Sequence, residues 1–306
     1  MKIEKFTGLM AAPFTPLTAT AEVDFSKIAE YTSYLSSRGV RGAFISGTSG
    51  EGISLSVKDR KLITKAWKDH CTKDFILFVQ VGHTCLSESC EMASHAELLG
   101  VNAISTMAPI FFKPNNLMEL VNYCKQIAES APNTPFYYYH IPGMTGVNYP
   151  MREFLPLAAK HIPSFTGIKF TNEDLRDFSL CQQIDNGRFD LLWAVDDAMT
   201  AAMSVGCQGF IGSTFNYGAA KYLEVIETFN NAQIAASAEA QLEMNRIVDV
   251  LINSPLPAIA TQRILIAEAG FDCSTGNAPS VYDNYPVLRQ QVIDALKETQ
   301  FYQIQS

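Results

Sequence analysis

Lys169 is the one charged residue in an apolar run, FTGIKF (165–170), which turns polar straight afterwards as TNEDLRD (171–177). Only 18% of the chain is charged, so a lysine inside such a run has two readings. Its stem can pack while its amine reaches solvent, as lysines at strand ends commonly do. Or the amine can stay inside, where lost hydration penalises the ammonium and lowers its pKa. A neutral amine attacks carbonyls and forms a Schiff base, and the iminium then withdraws electrons from the neighbouring carbon.

Two further stretches and one pair of strand ends carry residues suited to such chemistry. Ser46–Gly52, SGTSGEG, has glycines at 47, 50 and 52 that permit tight turns, with Thr48 and Ser49 between them. Its hydroxyls and N–H groups can cradle a carboxylate, or it is a plain glycine turn before a helix. No GK[ST] follows, so it is not a phosphate-binding loop of that kind. Tyr137–Gly143, YYYHIPG, alternates its tyrosines, so Tyr137 and Tyr139 share one face and Tyr138 takes the other. Tyr139 is a candidate proton shuttle or a packing aromatic of the sort strands favour. His140 is expected to face away from it, as a core or supporting residue. Finally, AVDDAM (194–199) and IGSTFN (211–216) bring Asp196, Asp197 and Ser213 to strand ends. These can hydrogen-bond a polyol or cap the helices that follow.

The elements that must position these residues form a regular rhythm. Strands are expected at 8–15, 42–47, 75–82, 103–109, 135–141, 165–170, 190–196 and 209–214. Helical spacing lies between them. Phe25, Ile28, Ala29, Tyr31, Thr32 and Leu35 make one face; Leu55, Leu62, Ile63, Ala66 and Trp67 make another; Leu117, Leu120, Val121, Cys124 and Ile127 make a third. Apolar strands alternating with helices argue for a parallel sheet covered by helices, and eight units close into a (β/α)8 TIM barrel. An open doubly wound sheet is the alternative, but it usually carries a glycine fingerprint after its first strand, and PFTPLTATAE has no glycine. After residue 230 only helical patterns follow, the last of them interrupted by Pro286. The expectation is one domain over 1–306: an α/β barrel over 6–230 and a C-terminal helical extension over 231–306 packed on it. In such a barrel the loops after the strands form the active site, and all of these stretches end there.

Bulk properties narrow the partners. Hydrophobic residues make up 47% of the chain and the formal net charge is -8. The scattered cations disfavour nucleic acid or a membrane surface as the main partner. No run of eighteen apolar residues could span a bilayer, and the N-terminus is too interrupted for a secretory signal. Seven cysteines at irregular spacing, with no CxxC, are expected to be reduced thiols in an intracellular, cytoplasmic protein. The five histidines form no HxH or HExxH, so no metal is expected, and the absence of GxGxxG and P-loop motifs implies no nucleotide cofactor. The expected cofactor set is therefore none.

The stretches GTSGEGISLSV, YYYHIPGMTGV, FTGIKFTNEDLRDF and GFIGSTFN together resemble the pyruvate-dependent class I aldolase family that includes dihydrodipicolinate synthase and N-acetylneuraminate lyase. The likeness runs in family order from about residue 6 to about residue 300, and YYYHIP turns it toward the sialate-cleaving branch, in its animal form. The resemblance implies a Schiff-base lyase that reversibly cleaves N-acetylneuraminate (sialic acid) to N-acetylmannosamine and pyruvate. It also implies a barrel with a helical tail, usually a homotetramer. It assigns the Schiff base to Lys169, proton donation and acceptance to Tyr139, and the substrate carboxylate to Thr48 and Ser49. Thr171, Ala194, Asp196, Asp197 and Ser213 would line the sugar end.

Four departures from the family pattern bear on the substrate. Ala194-Val195-Asp196-Asp197 replaces the usual Gly-x-Asp-Glu, Phe215 stands where many members have Tyr, and PIFFKP (109–114) lacks a tyrosine common in bacterial members. None touches Lys169 or Tyr139. The dihydrodipicolinate synthase reading would want an arginine within GMTGVNYP (143–150), which has none, and Arg152 lies past the place. Three functions stay open: sialate lyase, a pyruvate-dependent aldolase for another 2-keto sugar acid, and a non-catalytic metabolite-binding protein in which Lys169 only pairs with a ligand carboxylate.

Overall fold

The computed structural model describes residues 3–274 and 285–305. Eight parallel strands pair in sequence order and the eighth returns to the first, closing a barrel. The strands are β1 (Gly8–Ala11), β2 (Gly42–Ile45), β3 (Ile76–Gln80), β4 (Ala103–Met107), β5 (Phe136–His140), β6 (Phe165–Phe170), β7 (Asp190–Trp193) and β8 (Gly209–Gly212). The covering helices are α1 (Ile28–Ser37), α2 (Val57–His70), α3 (Leu86–Leu98), α4 (Leu117–Glu129), α5 (Pro142–Thr145), α6 (Met151–His161), α7 (Leu175–Cys181), α8 (Met199–Ser204) and α9 (Phe215–Asn230). Beyond them lie α10 (Ile234–Ile252), α11 (Ala258–Glu268) and α12 (Tyr285–Lys297). This is the TIM barrel with a C-terminal helical extension that the pattern implied.

Strand periodicity splits the core in two. Met10, Phe44, Phe78, Tyr137, Tyr139, Leu192 and Ile211 pack inside the barrel, whereas Leu9, Ile45, Tyr138, Ile168, Phe170 and Trp193 pack between sheet and helices. Alternate side chains on a strand must point to opposite faces, so the tyrosines of β5 divide as their spacing required. Gly167 on β6 is needed for a different reason: a Cβ there would lie 1.7 Å from the Asp190 carbonyl oxygen.

Several expected strands end earlier than their apolar runs. Residues 12–15, 46–47, 81–82, 108–109, 141, 194–196 and 213–214 lie beyond the ladders. Some keep one further bond on one side only, such as Ala12 N–H to the Gly212 carbonyl at 2.8 Å and Ala194 N–H to the Phe170 carbonyl at 2.9 Å. At the rim the tilted strands splay apart, and these residues form the loops instead.

Helix starts follow local chemistry. Ser56 caps α2 by accepting from Asp59 N–H at 3.1 Å and donating to the Asp59 carboxylate at 2.6 Å. Asn116 does the same for α4 with Glu119. On α2 the buried face is Arg60, Ile63, Thr64 and Trp67, and Leu62 is exposed, contrary to the apolar stripe expected. Arg60 takes that place because its guanidinium donates to the carbonyls of Gln80 and Gly82 and to the Gln80 side chain. Pro286 is the second residue of α12; in a first turn its missing N–H costs nothing. Residues 280–284 of the expected final helix, SVYDNYPVLRQQVIDALKETQFY, lie outside the described residues.

Candidate active site

Lys169 is buried inside the barrel, with 4% of its surface exposed. Its Nζ lies 4.0 Å from the centre of the Phe44 ring and 4.1 Å from that of Tyr139. Those two rings meet edge to face, 5.3 Å apart. Burial lowers the amine from its ordinary 10.5 to about 7, with the Asp196 carboxylate pulling the other way. The ring faces also favour the ammonium form, worth about 0.5–2 kcal/mol, which is less than the loss of hydration. A substantial fraction of the amine is therefore neutral near pH 7.

Tyr139 stands beside Lys169 on the neighbouring strand, as its register partner. Its phenol is pushed up to about 12 by burial, against the hydroxyls of Thr48 and Thr171. It rests protonated and shares a 3.2 Å hydrogen bond with Thr48 Oγ1. This bond joins the loop after β2 to β5, and brings Thr48, Tyr139 and Lys169 into one cluster. His140 faces outward as expected, its ring tilted against Phe170 at 5.1 Å, with its Nε2 3.2 Å from Asn172 Nδ2. Its own pKa is lowered to about 4 by burial.

The loop Ser46–Gly52 is built around a backbone crossing. Ser46 and Glu51 both adopt left-handed φ, 56° and 52°. A Cβ at Gly52 would sit 2.0 Å from the Ser46 carbonyl oxygen, so that position admits only glycine. The loop is braced from behind: Thr15 Oγ1 donates to the Gly50 carbonyl at 2.6 Å, and Arg263 Nη2 meets Glu51 Oε1 at 2.6 Å. Arg263, on α11, is itself buried and donates to the carbonyls of Thr15 and Cys273. Ser49 is 8% exposed, and Ser46 Oγ is buried with no hydrogen-bond partner among the described residues.

Across the rim, Asp196 Oδ2 accepts from Thr214 N–H at 3.0 Å and from Thr214 Oγ1 at 2.7 Å. This aspartate does not cap the helix that follows it; its carboxylate instead holds Thr214, the residue that precedes α9. Burial raises the pKa of its carboxyl, against the Thr214 bonds and the Lys169 amine. Asp197 is exposed, and it is its carbonyl that the fold holds, through Asn245 Nδ2 at 3.0 Å. Ala194 is buried, and Thr171 continues from β6, donating its N–H to the His140 carbonyl at 2.8 Å. Ser213 accepts at its carbonyl from Asn216 Nδ2 at 2.7 Å.

The contacts thus draw Lys169, Tyr139 and Thr48 together, with Asp196 and Thr171 acting on their charge. They do not tie Asp197 or Ser213 side chains into that cluster. Arg152 is turned to α7, where it pairs with Asp177 at 2.8 Å. Among the described residues, no three His, Cys, Asp or Glu side chains converge as a metal site requires.

Three residues of the site were not singled out in the sequence. Phe44, in the run GAFISG, was within reach: alternation on β2 puts it inward with Gly42. Arg263 and Gln241, which brace the loops from α11 and α10, carry no signal, because they act from more than 40 residues away in sequence.

Residues 5–281 match the family model described as the dihydrodipicolinate synthetase family. The chain is 40% identical over 247 residues to a Xenopus laevis protein named N-acetylneuraminate lyase A, covering 80% of this chain and 81% of that one. It is 36% identical over 279 residues to the N-acetylneuraminate lyase of Rattus norvegicus, covering 90% of this chain and 87% of the relative. Its backbone is similar to the solved Proteus mirabilis N-acetylneuraminate lyase, with a TM-score of 0.92 at 33% identity, covering 97% of this chain and 100% of that one.

Proposed function

The chain belongs to the dihydrodipicolinate synthetase family, and from that premise we propose that it is a class I aldolase, a carbon–carbon lyase that cleaves N-acetylneuraminate reversibly to N-acetylmannosamine and pyruvate. The observation that carries this reading is the buried Lys169 amine, walled by Phe44 and Tyr139 at about ring-contact distance. A lysine there has no role in packing that a leucine would not fill better. Relatives over 80% or more of the chain bear the lyase name, which supports the substrate.

In the proposed cycle, neutral Lys169 attacks the C2 carbonyl of the open-chain keto acid and expels water, giving an iminium. The substrate carboxylate lies on the Thr48–Ser49 loop, where fixed dipoles act in a site that excludes water. Tyr139 takes the proton of the C4 hydroxyl as its own phenolic proton passes to the bound carboxylate. The electrons of the C3–C4 bond move into the iminium, which becomes an enamine, and C4 leaves as the aldehyde of N-acetylmannosamine. Protonation of the enamine at C3 and attack of water at C2 release pyruvate and restore the amine. A shuttle placed this way is worth about 10²–10⁴-fold. Thr171, Ala194, Asp196, Asp197 and Ser213 are proposed to line the sugar end.

A second substrate, another 2-keto sugar acid, is favoured by one feature. The Ala194 methyl and the short, exposed Asp197 side chain alter the wall that would meet the sugar. We further propose a homotetramer in the cytoplasm. Phe111 and Phe112, 78% and 86% exposed on the loop after β4, form an apolar patch of the kind subunit contacts cover. Seven unpaired cysteines suit a reducing compartment. No helix among the described residues is long and apolar enough to cross a membrane.

The test is pyruvate release from N-acetylneuraminate, read by coupled lactate dehydrogenase, with Lys169→Ala beside it, and borohydride trapping of a pyruvate adduct on Lys169. Release and adduct, both lost in the variant, are expected. Trapping without release would move the substrate to another sugar acid, and no adduct at any pyruvate concentration would sink the aldolase reading.

A further inference from the structure

The segment after β7 carries both aspartates of the proposed sugar end, yet its own sequence does little to hold it. Ala198 precedes α8 and has no side chain with which to cap that helix, so the Met199 N–H would lack a local acceptor. The acceptor comes from α10. Gln241 Oε1 receives Met199 N–H at 3.1 Å, and Gln241 Nε2 donates to the Asp196 carbonyl at 3.2 Å. Gln241 Nε2 also donates to Asn245 Oδ1 at 2.9 Å, and Asn245 Nδ2 donates to the Asp197 carbonyl at 3.0 Å. Gln241 is 5% exposed, so water competes little for these bonds. Two neighbouring amides one helical turn apart thus fix one N–H and two carbonyls of residues 196–199.

Beside the segment, Trp193 Nε1 donates to the Val195 carbonyl at 2.8 Å, and beyond the end of β8 Thr214 holds the Asp196 carboxylate. The backbone from which both carboxylates project is therefore held on two sides. An aspartate has few torsions, so its oxygens go where its backbone sends them. The pyruvate end is braced separately, by Arg263 of α11 on Glu51.

We infer that Gln241 and Asn245 are positioning residues for the sugar end of the site, fixing the aspartates without touching substrate. The inference rests on the proposed lyase reading. It sets apart two properties that a general loosening of the fold would change together: affinity for the sugar acid, and capture of pyruvate by Lys169.

The experiment compares the parent with Gln241→Met, which removes both functions of the amide, Gln241→Glu, which keeps only the acceptor, and Asn245→Ala at a half-buried position. KM and kcat are measured for N-acetylneuraminate, and half-saturation for borohydride-trapped pyruvate is measured in parallel. A KM increase of about tenfold is expected in Gln241→Met and a smaller one in the other two, with kcat within about twofold. Pyruvate half-saturation is expected to stay at the parent's value. Unchanged KM in Gln241→Glu and Asn245→Ala would overturn the assignment, and so would pyruvate half-saturation rising in step with KM. Failure of the lyase reading would show in the parent itself, as trapped pyruvate without release from N-acetylneuraminate, and would take this assignment with it.

Discussion

Tyr139 and Lys169 are register partners on β5 and β6, both pointing into the barrel, with the amine 4.1 Å from the centre of the phenol ring. Parallel pairing sets the two side chains at the same height, and burial then acts on both: it pulls the amine down to about 7 and pushes the phenol up to about 12. One fold position thus yields a neutral nucleophile beside a protonated acid near pH 7.

The amine's pKa should appear as the acid limb of the kcat/KM profile, rising through about pH 7. Phe44→Leu keeps the wall apolar and removes the ring face that favours the ammonium. The acid limb should therefore move to lower pH, by up to about one unit if the ring contributes ~0.5–1.5 kcal/mol. A limb that stays in place would show that the ring acts only as packing.

Tyr139→Phe should leave pyruvate trapping on Lys169 intact and lower kcat by about 10²–10⁴. Thr48→Ala, which removes only the 3.2 Å partner of that phenol, should cost less in kcat. Equal loss of trapping and turnover in Tyr139→Phe would place the tyrosine in Schiff-base formation instead of proton transfer.

Lys169 should also weaken the fold that holds it. Its folded pKa is below the ordinary 10.5, so the unfolded chain binds the proton more tightly. The cost is full below about pH 7 and shrinks as pH rises toward 10.5. Lys169→Met should raise stability by roughly 1–4 kcal/mol at pH 6.5, with the advantage narrowing at pH 9. Urea unfolding of both proteins at the two pH values measures this directly.

Asp190 closes the opposite end of the barrel, accepting from Tyr137 Oη at 2.7 Å and from Phe6 N–H at 3.1 Å. Burial raises its carboxyl to about 6 from 3.8. The folded chain holds this proton more tightly, so the ionised form costs stability fully above about pH 6 and not below about pH 4. The stability of Asp190→Asn relative to the parent should accordingly improve between pH 4 and 6 and then level off. A difference independent of pH would mean that the carboxyl titrates normally.

Arg263→Met removes the buried partner of Glu51 and two further contacts, to the carbonyls of Thr15 and Cys273. It should lower stability by about 3–5 kcal/mol, and Glu51→Gln added to it should recover part of that loss. Independent, additive effects of the two changes in denaturant unfolding would show that the pair is not coupled.

The local chain determined much of this. Alternation decided which tyrosine of β5 faces the amine, glycine placement decided where the loop after β2 could cross itself, and eight apolar runs spaced for crossover helices decided the barrel. These are properties of neighbouring residues, so they are legible along the sequence. Leu62 and Arg60 show the limit: the apolar stripe of α2 named the wrong residue as buried, because an arginine that satisfies three acceptors can displace a leucine from a helix face. Other features were decided only when distant segments met. Glu51 finds Arg263 across 212 residues and Asp196 finds Gln241 across 45. The amine's lowered pKa comes from burial in the closed barrel, against the pull of the Asp196 carboxylate. A hydrogen bond or a desolvation cost depends on what the folded chain brings within a few ångströms, and no spacing within either segment records it.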